Sequence, residues 1–326
     1  MQKYILQRIA LTFPTIVLIT ILTFAGLRVI LPSDVVDLII GESGGPDPAF
    51  RERLEEELGL SSGIPEQYAR WIGIAWFWGD EPGILQGDFG KSLHSGRAVS
   101  TEVKNRIFVS LELGVWGQVT AILVSVPLGI WAAVRQDKWP DYALRSFAIL
   151  VAAVPNFWIA ILIITFGSLW FDWAPPITFR FLHEDPMAHL QIMLLPALII
   201  GLTPSGYLLR LTRTQMLEVM RQDYIRTALS KGLSENTVLY RHALRNALIP
   251  IVTIVGVGLP SIISGTVIFE QIFLIPGMGR YLVDAVNHLD YPVIQGLTLL
   301  FALVLLFAVI LVDVSYAYLD PRIKFD

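Results

Sequence analysis

The residues able to do chemistry are few and scattered. No Cys is present, which removes disulfides, thiolate metal sites and cysteine nucleophiles. His183, His189 and His288 lack the tight spacing of a metal-ligand set, so no metal site is expected. No His, Asp, Glu and Ser group stands at catalytic spacing, so no catalytic residue is expected and the chain does not read as an enzyme. There is no G-x-x-x-x-G-K-[ST] sequence and no Gly-rich turn from strand to helix to cradle a phosphate. What remains is ionisable groups in or beside apolar runs: Arg28, Glu112, Glu270 and Asp313. At membrane depth such groups are functional candidates by default. Glu270 and Asp313 are the candidates for a substrate path. Solvation at an interface is the alternative for Arg28, Glu112 and Glu270, and a bond to another helix is the alternative for the deeper Asp313.

These groups are positioned by elements that belong in lipid. Of 326 residues, 54% are hydrophobic and 16% charged, with a mean hydropathy of +0.60, well above globular usage. The net charge of −4 says little, because in a membrane protein the side on which each charge lies is what matters. A span needs roughly 20 apolar residues to cross about 30 Å of hydrocarbon. Six stretches meet this, at about 9–31, 113–134, 147–171, 192–211, 248–269 and 293–316. The first has the basic flank of a signal peptide in Lys3 and Arg8, but its apolar run is too long and no small-residue cleavage site ends it, so it reads as a retained helix. Pro14, Pro127, Pro155, Pro196, Pro204 and Pro260 lie within spans and read as ordinary kinks.

The short loops set the orientation. With the N-terminus inside, cytoplasmic segments hold Lys3, Arg8, Arg135, Lys138, Arg145, Arg210, Arg213, Arg221, Arg226, Lys231, Arg241, Arg245, Arg322 and Lys324, against Arg180 and Arg280 in the two short outer loops. Both termini are therefore expected in the cytoplasm. The chain divides into an N-terminal span, 1–31, an extracytoplasmic segment, 32–112, and a core of the remaining helices, 113–326. In the outer segment, Phe50, Leu54 and Leu58 share one face of an expected surface helix ended by Gly59. Trp71, Trp76 and Trp78 suit the headgroup interface, although a docking surface for a partner is an equal reading.

The loop between the fourth and fifth spans is long, basic and organised. Asp223 can cap a helix in which Tyr224, Ile225, Ala228 and Leu229 form an apolar stripe, with Arg226, Thr227, Ser230 and Lys231 opposite. Gly232 stops it, because a left-handed residue after a helix costs glycine least. Ser234 can cap a second helix, with Glu235 in its first turn, that carries Arg241, His242 and Arg245 toward the membrane. The product is a short amphipathic rod held crosswise at the inner surface. On physics alone, such a rod can simply rest on anionic headgroups.

Asp223 to Ser234, continuing from Arg241 to Pro250, resembles the cytoplasmic loop of binding-protein-dependent importer permeases. That family shows Glu-Ala-Ala, three residues, Gly, then nine residues and Ile-x-Leu-Pro. Here Ala228, Gly232 and Leu244 match, while Arg226, Thr227, His242 and Arg245 are variants associated with the dipeptide, oligopeptide and nickel branch. Gly87-Asp88-Phe89-Gly90-Lys91-Ser92-Leu93, Val154-Pro155-Asn156-Phe157-Trp158, Phe273 to Arg280 and Asp290-Tyr291-Pro292 are similar to segments of the first permease subunit of such systems. The resemblance implies an all-α membrane protein of the type I importer permease kind, with a coupling loop at 221–247. It implies no cofactor in this chain, ATP and Mg being bound by two cytoplasmic ATPase subunits, alike or different. A second homologous permease and an extracytoplasmic solute-binding protein complete the implied set of partners in the bilayer, with no nucleic acid. In this scheme an ATPase groove receives Asp223, Tyr224, Ile225, Arg226, Thr227, Ala228, Leu229 and Lys231, with Gly232 aiming the rod. The cargo would be peptides, with nickel, glutathione or oligosaccharides open. A transporter driven by an ion gradient is the main rival and would usually show repeated halves and midplane polar sites. A channel subunit would not explain the organised loop.

Overall fold

The computed structural model describes residues 2–30, 62–78, 81–258 and 261–319; within these, the side chains of 2–9, 27–30, 78, 261, 263 and 313–319 are not described. The expected helix around Phe50 and the Arg322 and Lys324 expected on the cytoplasmic side lie outside the described residues, as does Pro260. Every regular element among the described residues is helical, apart from one isolated bridge between Lys91 and Ala98. Four described helices are long and apolar enough to cross a membrane, or five if one sharply bent pair counts as a single span. The chain is an all-α membrane protein. It divides into two compact units, residues 1–107 with 281–326 and residues 108–280.

In the first unit, α1 (Gln2–Ile30) and α11 (Tyr291–Leu319) pack together, and α2 (Ile64–Ile72) lies against α1. Two tight helical turns follow α2, Ala75–Trp78 and Ile84–Gln86. Asp290 stands just before α11 and ties down the segment ahead of α3 (Val99–Val134). Its carboxylate accepts from Ser92 Oγ at 2.5 Å and from the backbone N–H groups of Leu93 and His94 at 3.1 and 3.3 Å. The Arg106 guanidinium lies 4.6 Å from the centre of the Tyr281 ring. Burial, with Asp290 and Glu102 nearby, pushes the Tyr281 phenol up to about 12.

The second unit holds the rest of α3, then α4 (Trp139–Ala153), α5 (Asn156–Phe171), α6 (Pro186–Met220), α7 (Asp223–Ser230), α8 (Glu235–Gly258) and α9 (Val267–Ile272). The helix α10 (Met278–Asn287) follows and runs across the boundary between the two units. The expected third span is not one helix. Val154 is extended (φ −94°, ψ 126°) because Pro155 disfavours helical geometry in the residue before it, and α4 and α5 meet at 92°. The fifth span is also divided: α8 starts far earlier, at Glu235, and a separate turn, Ser261–Ser264, precedes α9. Pro14, Pro127, Pro196 and Pro204 are, by contrast, carried inside continuous helices.

The helix α6 is the centre of its unit. Asp185 caps it, accepting from Met187 N and Ala188 N at 3.1 Å each, with Pro186 in the first turn where no N–H is missed. Its small residues let neighbouring backbones approach, the packing that lipid favours. A Cβ on Gly201 would stand 2.6 Å from Gly117 O of α3, and one on Gly206 would stand 2.6 Å from Ala148 O of α4. The start of α4 and the last turns of α6 are clamped by charge. Arg213 makes two parallel bonds of 2.6 Å to Asp141, which is fully buried and also accepts from Asp137 N at 3.0 Å.

This packing sets the outcome of several substitutions. Gly201→Leu should destabilise the detergent-solubilised protein by about 1–3 kcal/mol or more, because α3 cannot retreat from a side chain there. Gly256→Ala, with open space around it, should leave the melting temperature unchanged or raised. Asp141→Asn should cost about 3–5 kcal/mol by leaving Arg213 uncompensated, and adding Arg213→Met should recover part of that loss in the same thermal assay.

Candidate functional site

The rod expected between the fourth and fifth spans is α7, and its two sides differ in exposure. Ile225 and Ala228, 4% and 8% exposed, sink into a cluster with Ala133, Met216, Val238, Ala243 and Ala247. Burying the isoleucine alone is worth about 1.5–3 kcal/mol, so the rod is fastened to α6 and α8 rather than hung from them. Tyr224 and Leu229, at 43% and 45% exposed, flank this buried seam, and Leu233 beyond the rod is similarly open. The expected apolar stripe is therefore split. Its centre is used within this chain, and only its margins remain for another molecule.

The local geometry explains why the rod begins and ends where it does. Gln222 occupies the cap position without a side-chain bond, and Asp223, expected as the cap, sits one residue inside. There its carboxylate is 3.6 Å from Arg226, a largely exposed pair that contributes little. Thr227 Oγ1 and Ser230 Oγ each donate back one turn, to Asp223 O and Arg226 O, at 3.0 Å. Gly232 adopts φ +81°. Its N–H reaches Leu229 O at 2.9 Å, and Leu233 N–H reaches Ala228 O at 3.4 Å. This is the paired closure of a helix that a left-handed residue makes possible. Ser234 then caps the next helix through Thr237 N, as expected.

The helix α8 enters with a wide-turn segment, Val238–Leu244, before ordinary helix resumes at Arg245. Such bulges are uncommon and concentrate at functional sites. Asn246 Nδ2 donates to Tyr224 Oη at 2.9 Å, tying the exposed margin of the rod to α8. Arg226, Thr227, Ser230 and Lys231 are exposed. No sequence pattern marks the Asn246–Tyr224 bond, whose partners stand 22 residues apart.

Among the charges read as substrate-path candidates, Glu270 in α9 is fully buried. It accepts from Thr266 Oγ1 at 2.7 Å and from Arg280 N at 3.0 Å, and Gly277 leaves room for its carboxylate. The carboxylate thus pins the Phe273–Arg280 turn rather than standing open. Asp313 falls in α11, with its side chain outside the described residues, and the same holds for Arg28 in α1. Glu112 is not merely solvated. Its Oε1 is 2.9 Å from Nε2 of His189, a residue 1% exposed, whose Nδ1 donates to Arg180 O at 2.8 Å. The carbonyl can only accept, so the ring's Nδ1 is the donor there and Nε2 is the atom that faces the Glu112 carboxyl. Among the described residues no group of three or more His, Cys, Asp or Glu could hold a metal.

The Asp141–Arg213 clamp and the Asp290 anchor escaped sequence reasoning. Their partners lie 72 and 198 residues away; the start of α4 at Pro140-Asp141 offers a local signal for the first, and the family-like segments holding Ser92 and Asp290 carry no sign that they meet.

The family described as "Binding-protein-dependent transport system inner membrane component" matches residues 125–325. The N-terminal component of the same kind of membrane protein matches residues 1–114. A putative peptide transport system permease protein of Brucella abortus (strain 2308) is 38% identical over 327 residues, covering 100% of both chains. The dipeptide transport system permease protein DppB of Escherichia coli (strain K12) is 36% identical over 350 residues, covering 99% of each. The protein of the same name from Bacillus subtilis (strain 168) is 37% identical over 325 residues, covering 99% of this chain and 98% of its own. With a family match across most of its length and relatives 36–38% identical over nearly the whole of both chains, this chain belongs to the inner membrane components of binding-protein-dependent transport systems.

Proposed function

We propose that this chain is one of two membrane-spanning permease subunits of an ATP-driven importer of peptides, of the dipeptide and oligopeptide class. A solute-binding protein outside delivers the cargo. Two cytoplasmic ATPase subunits bind ATP and Mg, and a second homologous permease completes the path. Peptide as cargo rests on the names of the relatives, which cover the full length of both chains at 36–38% identity. Six spans with both termini in the cytoplasm, a core of 113–326 and an outer segment of 32–112 fit the Lys and Arg distribution, the bent pair α4–α5 counting as one span.

The observation that carries the mechanism is the two-sided rod. Its inner face, Ile225 and Ala228, is packed into the chain's own helices, so force applied to the rod reaches α6 and α8 without slack. Its outer margin offers Tyr224 and Leu229, with Arg226 and Lys231 as rim charges, to an ATPase groove. Closing and opening of the ATPase pair then moves the rod with its flanking helices as one body, the kind of rigid-element shift that interfaces transmit. The wide-turn segment Val238–Leu244 contributes Val238 and Ala243 to the same buried cluster and so belongs to that body.

Since the chain has no native Cys, the contact can be mapped directly. Leu229→Cys should form a disulfide or bismaleimide cross-link with an ATPase subunit in the assembled complex, and Ala228→Cys should not. Equal cross-linking from both, or from neither, contradicts the assignment. Gly232→Asp places a side chain at φ +81° with open space around it, which disturbs the rod's exit without a clash. It should leave insertion and assembly intact and ATP hydrolysis running while vesicle uptake collapses. Undiminished uptake by that variant would refute the coupling role.

A further inference from the structure

The outer segment contains an apolar surface that transport coupling does not use. In α2, Tyr68, Trp71 and Ile72 lie on one side of the helix, and the ion pair Glu66–Arg70 at 2.9 Å lies on the other. Tyr68 and Trp71 grip α1: their rings stand 5.5 and 5.7 Å from that of Phe24, and Tyr68 Oη is 2.8 Å from Thr20 Oγ1. Thr20 gives its own proton to Val17 O at 2.8 Å, so the phenol is the donor. Thr20 and Phe24 are each only 4% exposed. Around this contact, Ile64, Ile74, Trp76 and Phe77 are 65%, 39%, 47% and 69% exposed.

The depth of the contact identifies what covers those side chains. The apolar run of α1 lies between Arg8 and Arg28, and Thr20 is about 18 Å from the first and about 12 Å from the second along the helix. Across about 30 Å of hydrocarbon, Thr20 is near the middle and Phe24 is about 6 Å further out. A tyrosine side chain is far shorter than the roughly 15 Å from bilayer centre to headgroups. The backbone of α2 therefore cannot ride above the lipid while its phenol bonds to Thr20.

We propose that residues 64–78 form an amphipathic wedge seated in the outer leaflet beside α1. Lipid acyl chains cover Ile64, Ile74, Trp76 and Phe77, and Glu66 and Arg70 stay at headgroup level. A short helix with a strong apolar face and aromatic residues at the margin is the chemistry that lies in an interface. The Tyr68–Thr20 bond pairs two hydroxyls that would otherwise be stranded in hydrocarbon. This inference rests on the orientation given above, which puts the segment outside.

Nitroxide labels on single cysteines in the otherwise Cys-free chain, in the full complex reconstituted into phosphatidylethanolamine and phosphatidylglycerol vesicles, test the wedge. At Phe77→Cys and Ile74→Cys, the ratio of collisions with oxygen to collisions with a water-soluble nickel chelate should be several-fold higher than at the exposed loop site Ser95→Cys. If Phe77→Cys fails to assemble, quenching of Trp76 by lipids brominated on the acyl chain, read as wild type minus Trp76→Phe, should show the same burial. Free access of the nickel chelate to Phe77, or no quenching of Trp76, overturns the proposal. So does protection that appears only when the solute-binding protein is added, which would make a protein the occupant. Labelling of Ser95→Cys by an impermeant maleimide from outside checks the orientation separately, so failure of either reading is distinguishable.

Discussion

Burial of Ile225 and Ala228 beneath the rod α7 is the contact on which the proposed functional architecture depends. An eight-residue helix is too short to be stable in water by itself. It exists here because α6 and α8 supply the apolar surface that covers one side of it, through Met216, Val238, Ala243 and Ala247. The same burial that makes the rod fold also makes it rigid with respect to the helices that carry it. A loose basic loop of the same composition could bind a partner, but it could not transmit displacement. The Gly232 closure and the Asn246–Tyr224 bond act on the same element from its end and its margin, limiting how far it can fray or roll.

Polar groups in this chain are spent on holding helices in place. Asp141 with Arg213, Glu270 with Thr266 and Arg280 N, and Glu112 with His189 are each paired inside the second unit. In lipid an unpaired group of this kind costs several kcal/mol, so each pair fixes a relative position of two elements that apolar packing alone would leave free to slide. Close approach at Gly201 and Gly206 complements this, because dispersion between backbones replaces a hydrophobic driving force that lipid does not provide. A buried carboxylate is therefore not evidence of a transport site in such a protein. Glu270 shows the point: its depth in an apolar run marked it, and its partners show it pinning a turn.

The segment around α2 obeys a different rule. Tyr68 and Trp71 join its apolar face to α1 through Phe24 and Thr20. In the proposed seating in lipid, a segment linked in this way extends the first span's footprint in one leaflet while keeping its charges at the rim. The Asp290 anchor at the start of α11 then fixes the following loop through three donors from Ser92, Leu93 and His94.

Much of this was legible in the residues themselves. Hydropathy determined that the chain belongs in a bilayer. Gly232 and Ser234 determined where the rod stops and the next helix starts, since left-handed geometry and side-chain capping are local properties of one or two residues. The loop pattern from Ala228 to Leu244 pointed to the family. What the sequence could not determine was which side of an amphipathic stripe faces inward, because Tyr224 and Leu229 are as apolar in the sequence as Ile225 and Ala228. Nor could it show that Pro155 breaks a span while Pro127, Pro196 and Pro204 do not, or that Asp141 meets Arg213. Those outcomes depend on which atoms arrive from distant parts of the chain, and a pairing across 72 residues carries no local signature; only the packed tertiary structure decides it.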